Sequence, residues 1–257
     1  MIELNHNIML EHLTWPKIAE LQKSGFDKVV FGVGSIEQHG PHLPLVTDAW
    51  AGLVIANRVA TKLGNTLQAP TIRPGCSEAH MEFPGSMTIS QETLKHLLVD
   101  YCDSLARQRF KTIIIVPSHG GNFKPTADAM RDINERVKGV KVIAYTDLER
   151  NLNALKKAWG SLRVPENVAG IHAGETETSF MLYTWPEMVL KKAMAPGFDK
   201  ALKATDLEML YAKGIKAFSH TGVLGNPTQA TKEKGEIYFN AYVDDVVAFV
   251  REHTLST

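Results

Sequence analysis

Residues able to hold metal ions and move protons recur at a few defined places in this chain. Glu37 and His39 lie in GSIEQHGPHLPLVTD, and Asp48 closes that stretch nine residues past the histidine. Positions i and i+2 of an extended segment point the same way. Glu37 and His39 therefore aim at one point from the end of the apolar run Val29-Val30-Phe31. Gly40, Pro41 and Pro44 turn and stiffen the chain so that Asp48 swings back toward that point. A carboxylate, an imidazole and a second carboxylate make half a site for a divalent cation. His119 follows another apolar run, in SHGGN, where Gly120 and Gly121 allow close backbone approach and positive φ. The third contribution is HAGETETS, with His172 before a turn and Glu175 and Glu177 opening a helix. The helix dipole favours both acids there in any case. Acids two apart point in different directions on a helix, so one of them faces the site.

The candidate ligands are Glu37, His39, Asp48, His119 and Glu177. Five N/O ligands exceed what one zinc ion takes. Two ions sharing Asp48 as a bridge use them well, each keeping a position for water or substrate. The donor set suits zinc or manganese and argues against a thiolate site. Two such ions about 3.5–4 Å apart bring the pKa of a water near 7 and polarise a carbonyl. That is the equipment for hydrolysing an amide-type C–N bond with no separate nucleophile. His172 then serves as the proton shuttle, from the water to the leaving nitrogen.

These residues need a scaffold that brings distant segments to one rim. The pattern predicts a helix over 12–23 with Pro16 in its first turn, a strand over 28–34, a helix over 48–63 and a short strand over 66–69. An irregular stretch, 70–86, follows; a loop of that length is often functional. Ser90 caps the next helix, whose apolar face is Leu94, Leu97, Leu98, Tyr101 and Leu105. KTIIIV (111–116) reads as a strand buried on both faces. Helix over 124–137, strand over 140–145 and helix over 147–159 come next, then loop and helix over 170–183. A helix over 198–213, a loop over 219–236 and a last helix over 235–253 complete the chain. Alternating strands and helices indicate an α/β fold, one domain over 1–257, with a mostly parallel sheet. Ligands of such sheets bind beyond the carboxyl ends of the strands, where the stretches around Glu37 and His119 fall.

Composition narrows the partners. Lys plus Arg equals Asp plus Glu, 28 each, which gives no electrostatic pull toward nucleic acid or an anionic membrane. No apolar run approaches the roughly 18 residues of a membrane span. The N-terminal residues lack a basic segment followed by an apolar one, so no signal peptide is expected. Cys76 and Cys102 form no disulfide framework, which fits a reducing, cytoplasmic compartment. His42 and His80 lie in loops near the site and either line it or are solvated, the commoner state of a loop histidine. Arg73 either meets an anionic substrate group or is solvated; Cys76 reads as a small packing residue and Trp159 as core.

Taken together, GSIEQHGPHLPLVTD, SEAHMEFPGSMTIS, SHGGN, HAGETETS and GVLGNPTQATKEKGE resemble the creatininase (creatinine amidohydrolase) family, in family order over roughly residues 30 to 240. The resemblance implies a three-layer α/β/α sandwich around a parallel sheet, a binuclear zinc or manganese centre and a homohexamer. It implies Glu37, His39, Asp48, His119 and Glu177 as metal ligands, with Asp48 bridging, and His172 as acid/base. It also implies that Ser77 lies near substrate. Enzymes that act on creatinine carry a tyrosine–glutamate pair where this chain has Gly120-Gly121. They hold the ring with tryptophans, one just before the histidine that matches His172, where Glu166 to Ile171 here include none. The resemblance is to the broader group, which includes deformylases and peptidases of modified precursor peptides. The leading expectation is an amidohydrolase for a small cyclic amide or formamide. The alternatives are a precursor-peptide peptidase, creatinine hydrolysis itself, and a non-catalytic metal or ligand binder.

Overall fold

A computed structural model describes residues 1–198, 200, 209–210 and 212–255. Strands β1 (Lys28–Val33), β2 (Thr66–Gln68), β3 (Thr112–Pro117) and β4 (Lys141–Ala144) form a parallel sheet in the order β2-β1-β3-β4. β1 pairs with β3 along its whole length, from Lys28 opposite Thr112 to Val33 opposite Pro117. These two central strands are the β-branched runs of the sequence. Val29, Val30, Phe31 and Ile113 to Val116 are all fully buried, as a strand covered on both faces requires.

The helices are α1 (Trp15–Lys23), α2 (Thr47–Leu63), α3 (Gln91–Arg107), α4 (Gly120–Arg136), α5 (Leu148–Leu162), α6 (Glu166–Ala169), α7 (Glu175–Thr184) and α8 (Lys232–Leu255). Parallel crossovers are right-handed, and the strand order then fixes the layers. The chain steps one way from β1 to β2 and the other way from β2 to β3 and from β3 to β4. α2 is thereby sent to one face and α3 and α4 to the opposite one. α3 packs on α4, while α2, α5 and α7 pack on α8, giving the expected α/β/α sandwich. The direction of winding reverses between β1 and β3, and a crevice opens there at the strands' carboxyl ends. α2 reaches that crevice because Gly34 has no side chain. A Cβ on it would lie 2.4 Å from Ala49 Cα, so only glycine lets the start of α2, with Asp48, press against the end of β1.

The caps behave as read. Ser90 Oγ accepts the Thr93 N–H at 3.1 Å, and Pro16 sits in the first turn of α1. Several boundaries differ: α1 begins at Trp15, three residues after the expected start, and α5 runs on to Leu162. α4 begins at Gly120, four residues before the expected start, and its two glycines are helical, with no positive φ. α8 begins at Lys232, inside the stretch read as loop. Most of the helix expected over 198–213 lies outside the described residues.

Candidate metal centre

Three segments converge at the crevice. The loop after β1 brings Glu37 and His39, the start of α2 brings Asp48, and the end of β3 brings His119 as the residue before α4. The approach to α7 brings His172 and its first turn Glu177. Asp48 stands at the middle. Its Oδ1 lies 3.2 Å from His39 Nε2, and its Oδ2 lies 3.1 Å from His119 Nδ1. His119 Nδ1 is 3.3 Å from Glu37 Oε1, and His39 Nε2 is 3.7 Å from Glu177 Oε2. Two donor groups thus share one carboxylate: Glu37, Asp48 and His119 on one side, and His39, Asp48 and Glu177 on the other. His172 Nδ1 stands 3.8 Å from Glu37 Oε1, and Glu37, His39 and His172 form a third grouping of the same kind.

Whether these residues suit cations is decided by their unmet valences. Glu37 Oε1, His39 Nε2 and Asp48 Oδ2 are buried and have no hydrogen-bond partner. Each such atom costs about 1–3 kcal/mol if left unpaired. All three point into the same small space, so cations there satisfy them together. The outer partners are met by the protein. The second nitrogen of His39 lies 3.1 Å from Glu37 O, and that of His119 lies 3.0 Å from Cys76 O. An N–H given to a carbonyl leaves the other ring nitrogen bare for a metal, which is how ligating histidines are oriented. Ser35 Oγ donates to Glu37 Oε2 at 3.0 Å and is itself bonded to Ser77 Oγ. The Ala173 N–H donates to Glu177 Oε2 at 2.5 Å, from a residue held at φ 50°, a left-handed conformation rare without glycine.

Charges in the cluster stabilise one another. Burial penalises a charge on His39, yet Asp48, Glu177 and Glu37 around it push its pKa up to about 10. Burial likewise opposes ionisation of Asp48, and His39 and His119 override it, holding that carboxyl far below its ordinary range. His172 and His80 behave oppositely. Burial and the neighbouring rings push both down, His80 to about 3. One pair of rings therefore balances carboxylates, a duty that metal ions take over on binding by displacing protons. The other pair is neutral.

Glu37, His39, Asp48, His119, Glu177 and His172 all meet at one place. Glu175 turns away: Ser179 Oγ and Tyr238 OH donate to its two oxygens, each at 2.8 Å, with Lys234 Nζ at 3.3 Å. Trp159 is core, packed with Ala158 and Tyr238. Several placements differ from expectation. Ser77 is buried behind Glu37 on Ser35 and does not line the cavity. His80, read as lining the site or solvated, is buried on the cavity wall with Nε2 3.2 Å from Glu37 Oε1. His42 is also buried, bonded to Thr178 Oγ1 at 2.8 Å, whereas Arg73 is exposed outside the cavity, in keeping with its solvated reading. Gly121 is needed for close approach alone, since a Cβ there would sit 2.3 Å from Cys76 O.

Gln38 was not singled out because alternation turns it away from Glu37 and His39. In the structure its amide reaches back to His80 and His172. Gly222 makes room for it at φ 80°, where a Cβ would lie 1.9 Å from Gln38 Oε1. The unusual GVLGNP run was the available signal. The cavity itself holds about 350 Å³ beyond the cluster, walled by the starts of α3 and α4 and by Ile171 and Leu224.

The family model described as creatinine amidohydrolase matches residues 11–250. The mycofactocin precursor peptide peptidase of Mycobacterium ulcerans (strain Agy99) is 34% identical over 249 residues, covering 94% of this chain and 87% of that protein. The creatinine amidohydrolase of Pseudomonas putida is 23% identical, covering 97% of this chain and 98% of that protein. A crystal structure of creatinine amidohydrolase (creatininase) superposes with a TM-score of 0.78 at 20% identity, over 97% of this chain and 99% of that one. A creatininase structure titled as the Mn form gives 0.76 at 21% identity, over 96% and 98%. The extent of the family match and the 34% relative agree with the fold and the shared-carboxylate cluster, and the chain belongs to the creatininase family.

Proposed function

We propose that the protein is a metal-dependent amidohydrolase that cuts a C–N bond of a small cyclic amide or formamide. The observation that carries this reading is the pair of donor groups meeting at Asp48, with three buried atoms aimed between them and otherwise unpartnered. In this reading Glu37, His39, Asp48, His119 and Glu177 would hold two ions, and Asp48, which belongs to both donor groups, would serve as the shared ligand. The donor chemistry suits zinc or manganese, and related structures are titled as Mn and Zn-Zn forms. With a pair of divalent cations held there, the site would supply a water of lowered pKa and polarisation of the scissile carbonyl.

The chain's own residues do the rest. Ser35 holds Glu37 Oε2 and leaves Oε1 for the site. The Glu37 and Cys76 carbonyls keep the ligating nitrogens of His39 and His119 bare. His172 has Nε2 2.7 Å from Gln38 O and turns Nδ1 toward the cluster, so Nδ1 is the atom that accepts a proton and returns it to the leaving nitrogen. Ile171 and Leu224 give the cavity an apolar wall.

A second reading, cleavage of a short precursor peptide, is favoured by the name and 34% identity of the mycobacterial relatives. Metal analysis by mass spectrometry, then a panel of formamides, lactams and short peptides, separates the two. Small amides turned over by wild type and not by Asp48→Asn support the first. Cleavage of peptides alone selects the second. A Glu37→Gln or His119→Ala protein that keeps both metals and full activity overturns the site. The reading also includes a homo-oligomer, which the family resemblance implies, and a cytoplasmic setting, supported by the free thiols of Cys76 and Cys102. Sedimentation velocity tests the oligomer.

A further inference from the structure

Gln38 has its side-chain amide between two buried imidazoles, and hydrogen-bond bookkeeping there assigns their protons. The Gly40 N–H donates to Gln38 Oε1 at 2.9 Å, which fixes the amide oxygen toward Gly40 and the amide nitrogen toward the cavity. That nitrogen lies 3.2 Å from His80 Nδ1 and 3.4 Å from Gly222 O. An amide nitrogen only donates. The amide has two hydrogens; with His172 Nε2 itself a donor to the Gln38 carbonyl, they go to His80 Nδ1 and Gly222 O, so His80 Nδ1 accepts and the ring's proton sits on Nε2. His172 resolves differently. Its Nε2 is 2.7 Å from the backbone oxygen of Gln38, which receives no other donor among the described residues. The amide nitrogen also lies 2.9 Å from the same His172 atom. The shorter contact, and the carbonyl that would otherwise go unpaired in a buried place, decide for N–H on Nε2. His172 Nδ1 is left bare. Two imidazoles with centroids 4.6 Å apart thus offer the cavity opposite functions, a lone pair from His172 and an N–H from His80.

We propose that His80 is a catalytic residue, a neutral imidazole held by Gln38 so that its Nε2–H donates a hydrogen bond to the substrate's carbonyl oxygen as negative charge builds there. This rests on the hydrolytic reading of the cavity. His80 transfers no proton in this role; it stabilises charge, while His172 does the proton work. Gly222 belongs to the same device, since any side chain there would strike Gln38. The competing role is purely local: the same N–H faces Glu37 Oε1 at 3.2 Å and would then only orient that ligand.

The two roles separate by measurement. A donor to the developing charge is worth about 10²–10³ in kcat. His80→Ala is expected to retain both metals by mass spectrometry, to keep KM within a few-fold and to lose about 10²-fold in kcat. His80→Gln, whose amide N–H can reach the same position, is expected to recover part of that loss. A His80→Ala protein that loses a metal, and regains full kcat when metal is resaturated, assigns His80 to Glu37 and overturns the proposal. So does unchanged kcat. A second readout needs no turnover. Nitrogen-15 spectra of the histidine rings in zinc-loaded protein should show His80 protonated at Nε2, and Gln38→Glu, which offers only acceptors, should move that proton to Nδ1. A wild-type His80 carrying its proton on Nδ1 overturns the proposal. Wild-type protein that hydrolyses no amide fails the functional reading and the catalytic role with it, while the spectra still decide the tautomer.

Discussion

Two regions of this molecule are dense in charge, and they are built on opposite principles. Between α5 and α8, Arg150 Nε reaches both oxygens of Asp245 at 3.0 and 3.1 Å, and its two terminal nitrogens reach Glu252 at 2.7 and 3.1 Å. Tyr145 OH adds a bond of 2.5 Å to Asp245. Donors and acceptors there answer each other inside the protein. At the crevice, acids and imidazoles crowd together with three buried atoms unanswered. A closed network holds two helices together, and an open one waits for something with charge of its own. The same contrast appears within two residues of α7. Glu175 is buried and fully bonded, whereas Glu177 gives one oxygen to Ala173 N–H and to the cluster. Charge density alone therefore does not mark the site; carboxylate and imidazole atoms left without partners and gathered at one point do.

Metal removal is the strongest test of that contrast. Dialysis against a chelator is expected to abolish hydrolysis, and zinc or manganese to restore it. The same addition should raise the melting temperature, because a ligand held only by the folded state stabilises it by about 2.7 kcal/mol per site at a hundredfold excess over Kd. Calorimetry with and without metal checks this. Identical melting curves would make the crevice as closed as the Arg150 network. Next in size is the pair on α7. Glu177→Gln should lower kcat by about 10²-fold or more and weaken one metal, as loss of a ligand does. Glu175→Gln should leave metal content and kcat alone and cost about 1–3 kcal/mol of stability through its buried bonds. Equal behaviour of the two variants would erase the distinction between them.

How much of this was readable in the sequence follows the physics of each element. KTIIIV announced a strand buried on both faces because its β-branched run leaves no polar side. Glu37, His39 and His119 were legible because they stand just past such strands, where a parallel sheet leaves its crevice. The start of α4 was misplaced because Gly120 and Gly121 read as loop, yet glycine is required at 121 by the closeness of Cys76 O, inside a helix. The places of Gln38, His80 and Ser77 are not legible in the sequence, for one reason. Their roles depend on hydrogen bonds to residues tens of positions away, and no local periodicity encodes those. Ser77 in particular serves Glu37 through Ser35, where motif likeness had placed it against substrate.

That relay supplies a smaller test. A carboxylate only accepts, so the proton of Ser35 goes to Glu37 and that of Ser77 to Ser35. Ser35→Ala frees Glu37 Oε2 and should weaken the ion shared by Glu37, Asp48 and His119 by about tenfold, as outer partners of ligands typically do. Calorimetric titration of the two metal sites reads this directly. Ser77→Ala should act the same way with less effect, and a rise in KM without a change in metal affinity would return Ser77 to the substrate.

The smallest expected effect lies at the closed end of the comparison. Arg150 is 26% exposed and makes paired bonds to two carboxylates, so it exceeds an ordinary surface ion pair, whose value is about 0–1 kcal/mol. Arg150→Met keeps much of the aliphatic stem that crosses Phe249, whose ring centroid lies 5.2 Å from the guanidinium carbon, and removes the charge. Asp245 retains its bond from Tyr145, while the Glu252 side chain is more than half exposed. The expected loss is about 1–2 kcal/mol, from charge-assisted bonds that water only partly replaces. Denaturant unfolding of the metal-loaded protein measures it, with kcat and metal content unchanged. A fall in either would mean that α8 transmits strain to Glu177 through its packing on α7, and that the two networks are one.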